Sequence, residues 1–105
     1  MSSVPDAVIA DNPEAQRYEV HVDDALAGYA EYRLRPGLIA FTHTEIRDRF
    51  EGQGLAGRLI AFALDDARER GLDVLPFCRF VNSHIQRHPE YAELVPATYH
   101  KSFDL

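Results

Sequence analysis

The chain has 105 residues, of which 46% are hydrophobic and 27% charged, and its formal net charge at pH 7 is −6. This length suits one domain with one core, and the composition is that of a globular protein. The negative charge argues against a nucleic-acid partner, and no apolar run approaches the roughly 20 residues needed to cross a bilayer. The single cysteine, Cys78, excludes an internal disulfide, and no secretory signal pattern opens the chain, so we expect a cytoplasmic protein with no membrane partner.

The first half of the chain reads as β-structure. Residues 1–15 carry prolines and acids without periodicity, and we expect a flexible leader before a single domain at residues 16–105. Apolar and polar residues then alternate over residues 18–22, 29–34 and 38–46, separated by short turns such as Pro36-Gly37. This pattern predicts an antiparallel three-stranded meander.

The second half begins with a helix. Apolar residues from Leu55 to Ala67 recur at helical spacing, and Gly71 suits the left-handed position after a helix end. The apolar run at residues 73–81 predicts a buried fourth strand, in which Pro76 implies a bulge or an unpaired amide. Ser83 with Gln86 has the spacing of a capping box that opens a short helix, and the fold class is therefore α+β.

The stretch "EGQGLAGR" before the helix permits two phosphate-binding interpretations. Gly52, Gly54 and Gly57 spell G-x-G-x-x-G, but hairpin-linked strands precede them, and a dinucleotide-binding fold requires a buried parallel strand there. Arg49 with Gly52 and Gly54 instead spells R-x-x-G-x-G. In this motif the two glycines have no Cβ atom to keep an anion from the backbone, and the amides at the start of the helix attract it. Spacing alone leaves a third alternative open, namely glycines that only make a tight turn.

The segment "IRDRFEGQGLAGRLIAFALDDARERG" resembles the coenzyme A pyrophosphate-binding motif of the GNAT superfamily of N-acetyltransferases. The flanking segments "GYAEYRLRPGLIAFTHTEI" and "LDVLPFCRFVNSHIQRHPEYAELV" resemble the short, minimal YjdJ-type group within it, and the likeness covers roughly residues 18–95. It implies a minimal GNAT-like fold in which the strand after the helix lies parallel to the third strand of the meander and splays away from it. It also implies acetyl-CoA as acyl donor and an amine as acceptor.

The resemblance assigns roles to individual residues. The catalytic candidates are His43, as general base, and Cys78, which accepts the acetyl group, donates a proton to the leaving thiolate, or only packs. Strand alternation predicts that His43 shares a face with Ile39, Phe41 and Glu45, and not with Thr42 and Thr44. The candidates for binding coenzyme A, through backbone groups, one guanidinium and one side-chain amide, are Thr44, Glu45, Ile46, Arg49, Gly52, Gln53, Gly54, Leu55, Ala56 and Asn82.

Other candidates are weaker. Tyr91 matches a tyrosine that protonates the thiolate in larger relatives, but packing suits its altered segment better. His84 and His88 have the i, i+4 spacing of metal ligands without a third ligand, so we expect a solvated helix face and no metal.

The sequence departs from full-length GNAT enzymes between its first two strands, which only a few residues connect. The helices that enclose the acceptor there are missing, so we expect an acceptor side that is open or is completed by a partner. The amine is then unidentified, whether small molecule, polyamine or protein. Three hypotheses remain: an N-acetyltransferase, a non-catalytic acyl-CoA-binding module, and a small interaction domain without ligand.

Overall fold

A computed structural model describes residues 6–105 as a five-stranded sheet with two α-helices. The strands are β1 (Ala7–Asn12), β2 (Arg17–Val22), β3 (Ala25–Arg35), β4 (Leu38–Ile46) and β5 (Asp73–Pro76). The helices are α1 (Leu55–Glu69) and α2 (Arg79–Arg87), and short 3-10 helices occupy Asp48–Phe50, Pro89–Leu94 and Ala97–Tyr99. No helix within residues 6–105 has the length and apolar character that a bilayer crossing requires.

The sheet order is β1-β2-β3-β4-β5, with antiparallel pairing from β1 to β4 and parallel pairing between β4 and β5. Helix α1 makes the connection that a parallel pair requires. This is the α+β architecture expected from the sequence, with the last strand parallel to the strand that ends the meander.

The expected leader is wrong for residues 7–12, which form an additional edge strand, β1. It pairs with β2 from Ala7 opposite Val22 to Asn12 opposite Arg17. Ile9 faces the core while Val8 faces solvent. A single alternation of this kind among alanines and acids is too short to predict a strand from the sequence. The expected leader's residues 1–5 lie outside the described part of the chain.

One face of the sheet carries the core, because the described helices all pack on that side. Buried side chains of β2 to β5, such as Tyr18, Ile39 and Phe41, meet the apolar face of α1 at Leu59 and Leu64. The opposite face, which we call the open face, presents polar and charged side chains of β2, β3 and β4 without a covering helix within residues 6–105. The strands β2 and β3 are joined by a two-residue turn with no helix between them, as the sequence predicted.

Two buried tyrosines attach β1 and α1 to the sheet. The hydroxyl of Tyr18 donates to Asp66 and that of Tyr32 to Asp11, both at 2.6 Å. Burial, and then the adjacent carboxylate, raises the pKa of each tyrosine well above its usual value, so both remain donors. Arg70 lies between the carboxylates, 3.4 Å from Asp66 and 3.7 Å from Asp11, and offsets their repulsion.

The predicted strand at residues 73–81 is wrong in its second half. β5 ends at Pro76, and α2 begins at Arg79, four residues before the predicted cap at Ser83. Pro76 has no N–H for the ladder, and the chain turns there with the Phe77 N–H bonded to the Leu75 carbonyl at 3.1 Å. The apolar run thus spans two elements, a short strand and the first turn of a helix.

Candidate functional site

The strands β4 and β5 separate at the middle of β4. Their pairing runs from Leu38 opposite Asp73 to Phe41 opposite Pro76 and stops there. One more bond, from the Cys78 N–H to the Phe41 carbonyl at 3.0 Å, closes the gap at its narrow end. Residues 42–46 of β4 therefore continue with no β5 partner, which leaves backbone N–H and C=O groups free at this edge.

A cleft of about 470 Å³ lies between this free edge and the start of α1. It combines the end of β4, the turn that follows, the first residues of α1 and one aromatic side chain of α2. Its walls are Thr44, Glu45, Ile46, Asp48, Phe50, Glu51, Gly52, Gly54, Leu55, Ala56 and Phe80. The structure thus brings together seven of the ten residues expected to bind coenzyme A.

The glycine turn has the backbone of an anion site. Gly52 and Gly54 have positive φ angles of 82° and 73°, and Gly54 caps α1 with no side-chain cap. Within the described chain, no backbone carbonyl accepts a hydrogen bond from the amides of residues 52–56. Unpaired amides at the start of a 15-residue helix favour a negative group, so the turn fits a phosphate.

Acidic residues line the cleft, and the neighbouring basic residue is not part of its lining. Glu45, Asp48 and Glu51 are among the lining residues, and no basic residue of the described chain lines the cleft. Arg49 is exposed beside it, with its guanidinium 4.6 Å from the centre of the Phe50 ring. The positive groups available to a phosphate are therefore the amides, with Arg49 at the rim.

The prediction that His43 shares a face with Ile39 and Phe41 is wrong, because β4 contains a bulge, whereas the prediction that it shares a face with Glu45 and not with Thr44 is confirmed. Glu31 pairs with His43 and Tyr32 with Phe41, so Thr42 is an extra residue without a partner. A bulge of one residue reverses the alternation beyond it. His43 therefore lies on the open face with Glu45, whereas Phe41 lies on the core face, and Thr44 joins it there and is buried.

On the open face, four side chains of β3 and β4 form two cross-strand pairs: Tyr29 opposite Glu45 and Glu31 opposite His43. We call these four residues the open patch. The Tyr29 hydroxyl donates to Glu45 at 3.3 Å, and His43 Nε2 lies 3.5 Å from the same Glu45 oxygen. Partial burial, and then the Glu45 charge, raises the pKa of Tyr29, which keeps its hydroxyl a donor. The side chain of His43 is 54% exposed, so it is accessible to an approaching molecule.

Cys78 lies on the other side of β4. Its thiol is buried, with Sγ 3.1 Å from the hydroxyl of Thr44, which forms part of the cleft wall. Cys78 is also the residue that precedes the first turn of α2. The two catalytic candidates therefore occupy opposite faces of β4, and His43 is not positioned to take the thiol proton of Cys78.

Several predicted residues have other partners. The side-chain amide of Asn82 donates to the Phe103 carbonyl at 3.1 Å, outside the cleft, and its Oδ1 is buried without a partner among the described residues. Tyr91 donates to Asp65 at 2.9 Å, also away from the cleft.

Of the two histidines expected on a solvated helix face, His88 is exposed just after the end of α2, but His84 is not. His84 is buried rather than solvated, and its ring lies 4.3 Å from the ring of His88. Burial, and then the neighbouring charge of His88, lowers the pKa of His84. Residues 6–105 contain no group of three side chains able to hold a metal ion, so this pair lacks the further ligands of a metal site.

The sequence interpretation missed the cleft residues Asp48, Phe50, Glu51 and Phe80, and also Tyr29 and Gly28. Phe80 lines the cleft, and Tyr29 holds Glu45, but neither stands out without the three-dimensional fold. Gly28 was detectable, since an isolated glycine within a strand signals a close backbone approach. A Cβ atom on Gly28 would lie 2.6 Å from the Glu45 carbonyl oxygen, so this glycine allows β3 to approach the cleft wall.

Comparisons with known proteins agree with this geometry. The family model of GCN5-related N-acetyltransferases matches residues 17–94. A solved structure described as a GCN5-like N-acetyltransferase from Staphylococcus aureus matches with a TM-score of 0.63, 19% identity and 90% of both chains covered. The crystal structure of a ribosomal-protein-alanine N-acetyltransferase from Brucella melitensis biovar Abortus 2308 matches with a TM-score of 0.50 and 24% identity over 77% of this chain and 61% of that chain. No curated protein matches.

The two structural likenesses support the fold, and the family model extends from β2 to the 3-10 helix that ends at Leu94. That range contains the splayed strands, the glycine turn and both catalytic candidates, and it exceeds half of the chain. The chain belongs to the GCN5-related N-acetyltransferase family.

Proposed function

We propose that the chain is an acetyl-CoA-dependent N-acetyltransferase, which moves an acetyl group from the thioester to an amine. One observation carries the proposal: a single cleft joins an unpaired strand edge to a helix start with unpaired amides. A strand edge pairs with an amide-containing chain, and a helix start binds phosphate. Coenzyme A has an amide-containing pantetheine arm and a pyrophosphate, and therefore complements both halves of the cleft.

In this proposal the backbone of residues 44–46 pairs with pantetheine, and the amides of residues 52–56 bind the pyrophosphate. Arg49 supplies the positive charge that the walls lack, since its exposed guanidinium can leave the Phe50 ring for a phosphate oxygen. Asn82 is not needed, because its side-chain amide is already bonded to the C-terminal segment.

The chemistry requires a neutral amine, whose nitrogen attacks the thioester carbonyl carbon. The carbon–sulfur bond then breaks, and coenzyme A departs as the thiolate. His43 accepts the proton that the amine loses, because imidazole titrates near neutral pH and this ring is accessible on the open face. The proton then reaches the thiolate through solvent, so the products are an amide and coenzyme A.

Cys78 permits a covalent alternative, in which its thiolate attacks the thioester carbonyl and displaces the coenzyme A thiolate, and the amine then takes the acetyl group from the acetyl-cysteine and releases the Cys78 thiolate. Its burial against Thr44 equally suits an inert packed thiol. Intact-protein mass spectrometry after incubation with acetyl-CoA separates the two, with Cys78→Ser as the control for acetylation elsewhere. An acetyl group on Cys78 that a chase with amine removes supports the covalent route, and its absence supports direct transfer.

A second candidate, an acyl-CoA-binding module without turnover, is favoured by two observations. The acceptor side has no enclosing wall within the described residues, and His43 and Cys78 lie on opposite faces of β4. Such a module would keep the cleft and need neither residue for binding.

Thiol release from acetyl-CoA in the presence of an amine panel tests the enzymatic proposal. Wild type is compared with His43→Ala and with His21→Ala, which removes another accessible histidine from the open face. We expect a loss of about 10²–10⁴-fold in turnover for His43→Ala, as for a general base, and little change for His21→Ala. Equal losses in both variants would exclude His43 as the base. Calorimetric binding of acetyl-CoA without transfer to any amine would favour the module.

A further inference from the structure

The strongest unexplained feature is the open patch of Tyr29, Glu31, His43 and Glu45. It adjoins the cleft through one residue, since Glu45 lines the cleft and its carboxylate contacts Tyr29 and His43 on the open face. The bulge at Thr42 creates this arrangement, because it turns His43 and Glu45 away from the helices. A group held by the Glu45 carboxylate is therefore next to the end of β4.

We propose that the acceptor binds to the open patch as an alkylammonium ion, with its charge on the carboxylate of Glu45, and that Tyr29 positions this carboxylate. This proposal rests on the proposed function, which it extends by naming the chemical class of the acceptor and its side of approach. Glu45 is then a substrate-binding residue and Tyr29 a positioning residue.

The side of approach follows from the two faces of β4. On the core face, Thr44 and Cys78 are buried, and the cleft that Thr44 lines is the one assigned to coenzyme A, so the face left to the amine is the open one. On the open face, half of the Glu45 side chain and half of the His43 side chain are accessible. An ammonium group at Glu45 also lies close to the base, because Glu45 Oε1 is 3.5 Å from His43 Nε2. His43 can take one proton from this group and leave the neutral amine that attacks, and the second proton, lost as the amide forms, passes to solvent.

The preference for a cation follows from the charges in and around the patch. It contains two carboxylates, Glu31 and Glu45, and no lysine or arginine. Arg17 of β2 lies opposite Glu31, with its guanidinium 4.6 Å from the centre of the Tyr29 ring, but its Nε is 2.6 Å from Glu19, which offsets its charge. Arg33, next along β3, donates to Gln16. The Glu45 carboxylate therefore has no basic partner from lysine or arginine among these neighbours.

The shape of the patch restricts the acceptor further. It lies on two paired strands that no helix of residues 6–105 covers, so it can hold one charged end and little else of a ligand. An ammonium group at the end of an extended arm fits this geometry, as in a polyamine. A compact amine would gain nothing from the rest of the surface.

Binding is tested without relying on turnover, by nuclear magnetic resonance titration of backbone amides with spermidine and n-butylamine. Uncharged 1-butanol is the ligand control. The variants are Glu45→Gln and Tyr29→Phe, and Glu69→Gln removes the same charge from the solvent side of α1 as a matched control. We expect saturable shifts at Tyr29, His43 and Glu45 for the amines alone. Glu45→Gln should weaken binding about two- to fivefold, the range of an exposed ion pair, and Glu69→Gln should not.

A double-mutant cycle separates positioning from a merely structural role of Tyr29. Tyr29→Phe should weaken amine binding in wild type and have no effect once Glu45→Gln is present. Shifts that are absent from the patch, unchanged by Glu45→Gln or reproduced by 1-butanol would overturn the proposal. Calorimetry with coenzyme A tests the donor site separately. A protein that binds amines at the patch but no coenzyme A would refute the proposed function and leave the patch intact.

Discussion

The glycine turn yields a prediction in which stability and ligand binding can be separated. Gly52 and Gly54 have φ angles of 82° and 73°, and Gly71, at the other end of α1, has a φ angle of 67°. A Cβ atom at any of the three would meet no atom within 4 Å. Alanine at each position therefore carries the same kind of penalty, backbone strain without a clash.

The size of that penalty follows from the left-handed conformation, which costs a residue with a Cβ atom about 1–2 kcal/mol. Because a small domain has about 5–15 kcal/mol of stability, all three variants should fold, with Tm lowered by several degrees. Coenzyme A binding should respond differently. A hydrogen bond to a charged group is worth about 1.5–3 kcal/mol, so losing one amide–phosphate contact weakens binding about ten- to a hundredfold.

The assay is calorimetric titration with coenzyme A, combined with urea unfolding of the same samples. We expect Gly52→Ala and Gly54→Ala to lose affinity while Gly71→Ala keeps that of wild type, at similar losses of stability. Gly54→Asn refines the comparison, because asparagine tolerates a positive φ but still places a Cβ atom beside the phosphate. Wild-type affinity in both turn variants would refute the idea that Cβ-free amides hold the pyrophosphate.

Further variants test the surrounding structure. Gly57 lies within α1, and a Cβ atom there would meet nothing within 4 Å, so Gly57→Ala should raise the free energy of unfolding by about 0.5–1 kcal/mol and preserve binding, contrary to a dinucleotide-binding motif. Gly28→Ala should destabilise the fold and weaken coenzyme A binding, because the new Cβ atom would lie 2.6 Å from the Glu45 carbonyl oxygen; unchanged urea unfolding and affinity would contradict this. Burial lowers the pKa of His84 below the ordinary 6.5 of histidine, so at acidic pH the unfolded chain binds a proton at this residue more readily than the folded chain does. The free energy of unfolding should therefore fall as the pH drops below 6.5. His84→Leu should flatten this dependence in urea unfolding between about pH 7 and about pH 5, whereas His21→Ala should leave it in place.

The parts of the fold that could be predicted are those in which periodicity and local signals agree. The alternation in β2, β3 and β4, the apolar face of α1 and the left-handed Gly71 each point to the observed element. The glycine turn also lies where the motif requires it, between the end of β4 and α1. The end of β5 and the start of α2 could not be predicted in this way. The apolar run continues through Cys78, Val81 and Ile85, but the spacing of its buried residues changes there from two to between three and four.

The bulge at Thr42 could not be predicted from the sequence, and the arrangement of the site depends on it. Nothing in "LIAFTHTEI" distinguishes a regular strand from one with an extra residue, since both Thr42 and Thr44 are suited to a strand and only their partners on β3 decide which is unpaired. That single residue determines whether His43 faces Cys78 or solvent. With the bulge, the Cys78 thiol and the His43 imidazole cannot act as a nucleophile–base pair. Cys78 would approach the acetyl donor from the core face, and the amine would approach it from the open face. A requirement of Cys78 for turnover would therefore not imply its activation by His43, and the two residues should be tested as independent contributors, with additive losses of transition-state stabilisation in the double variant.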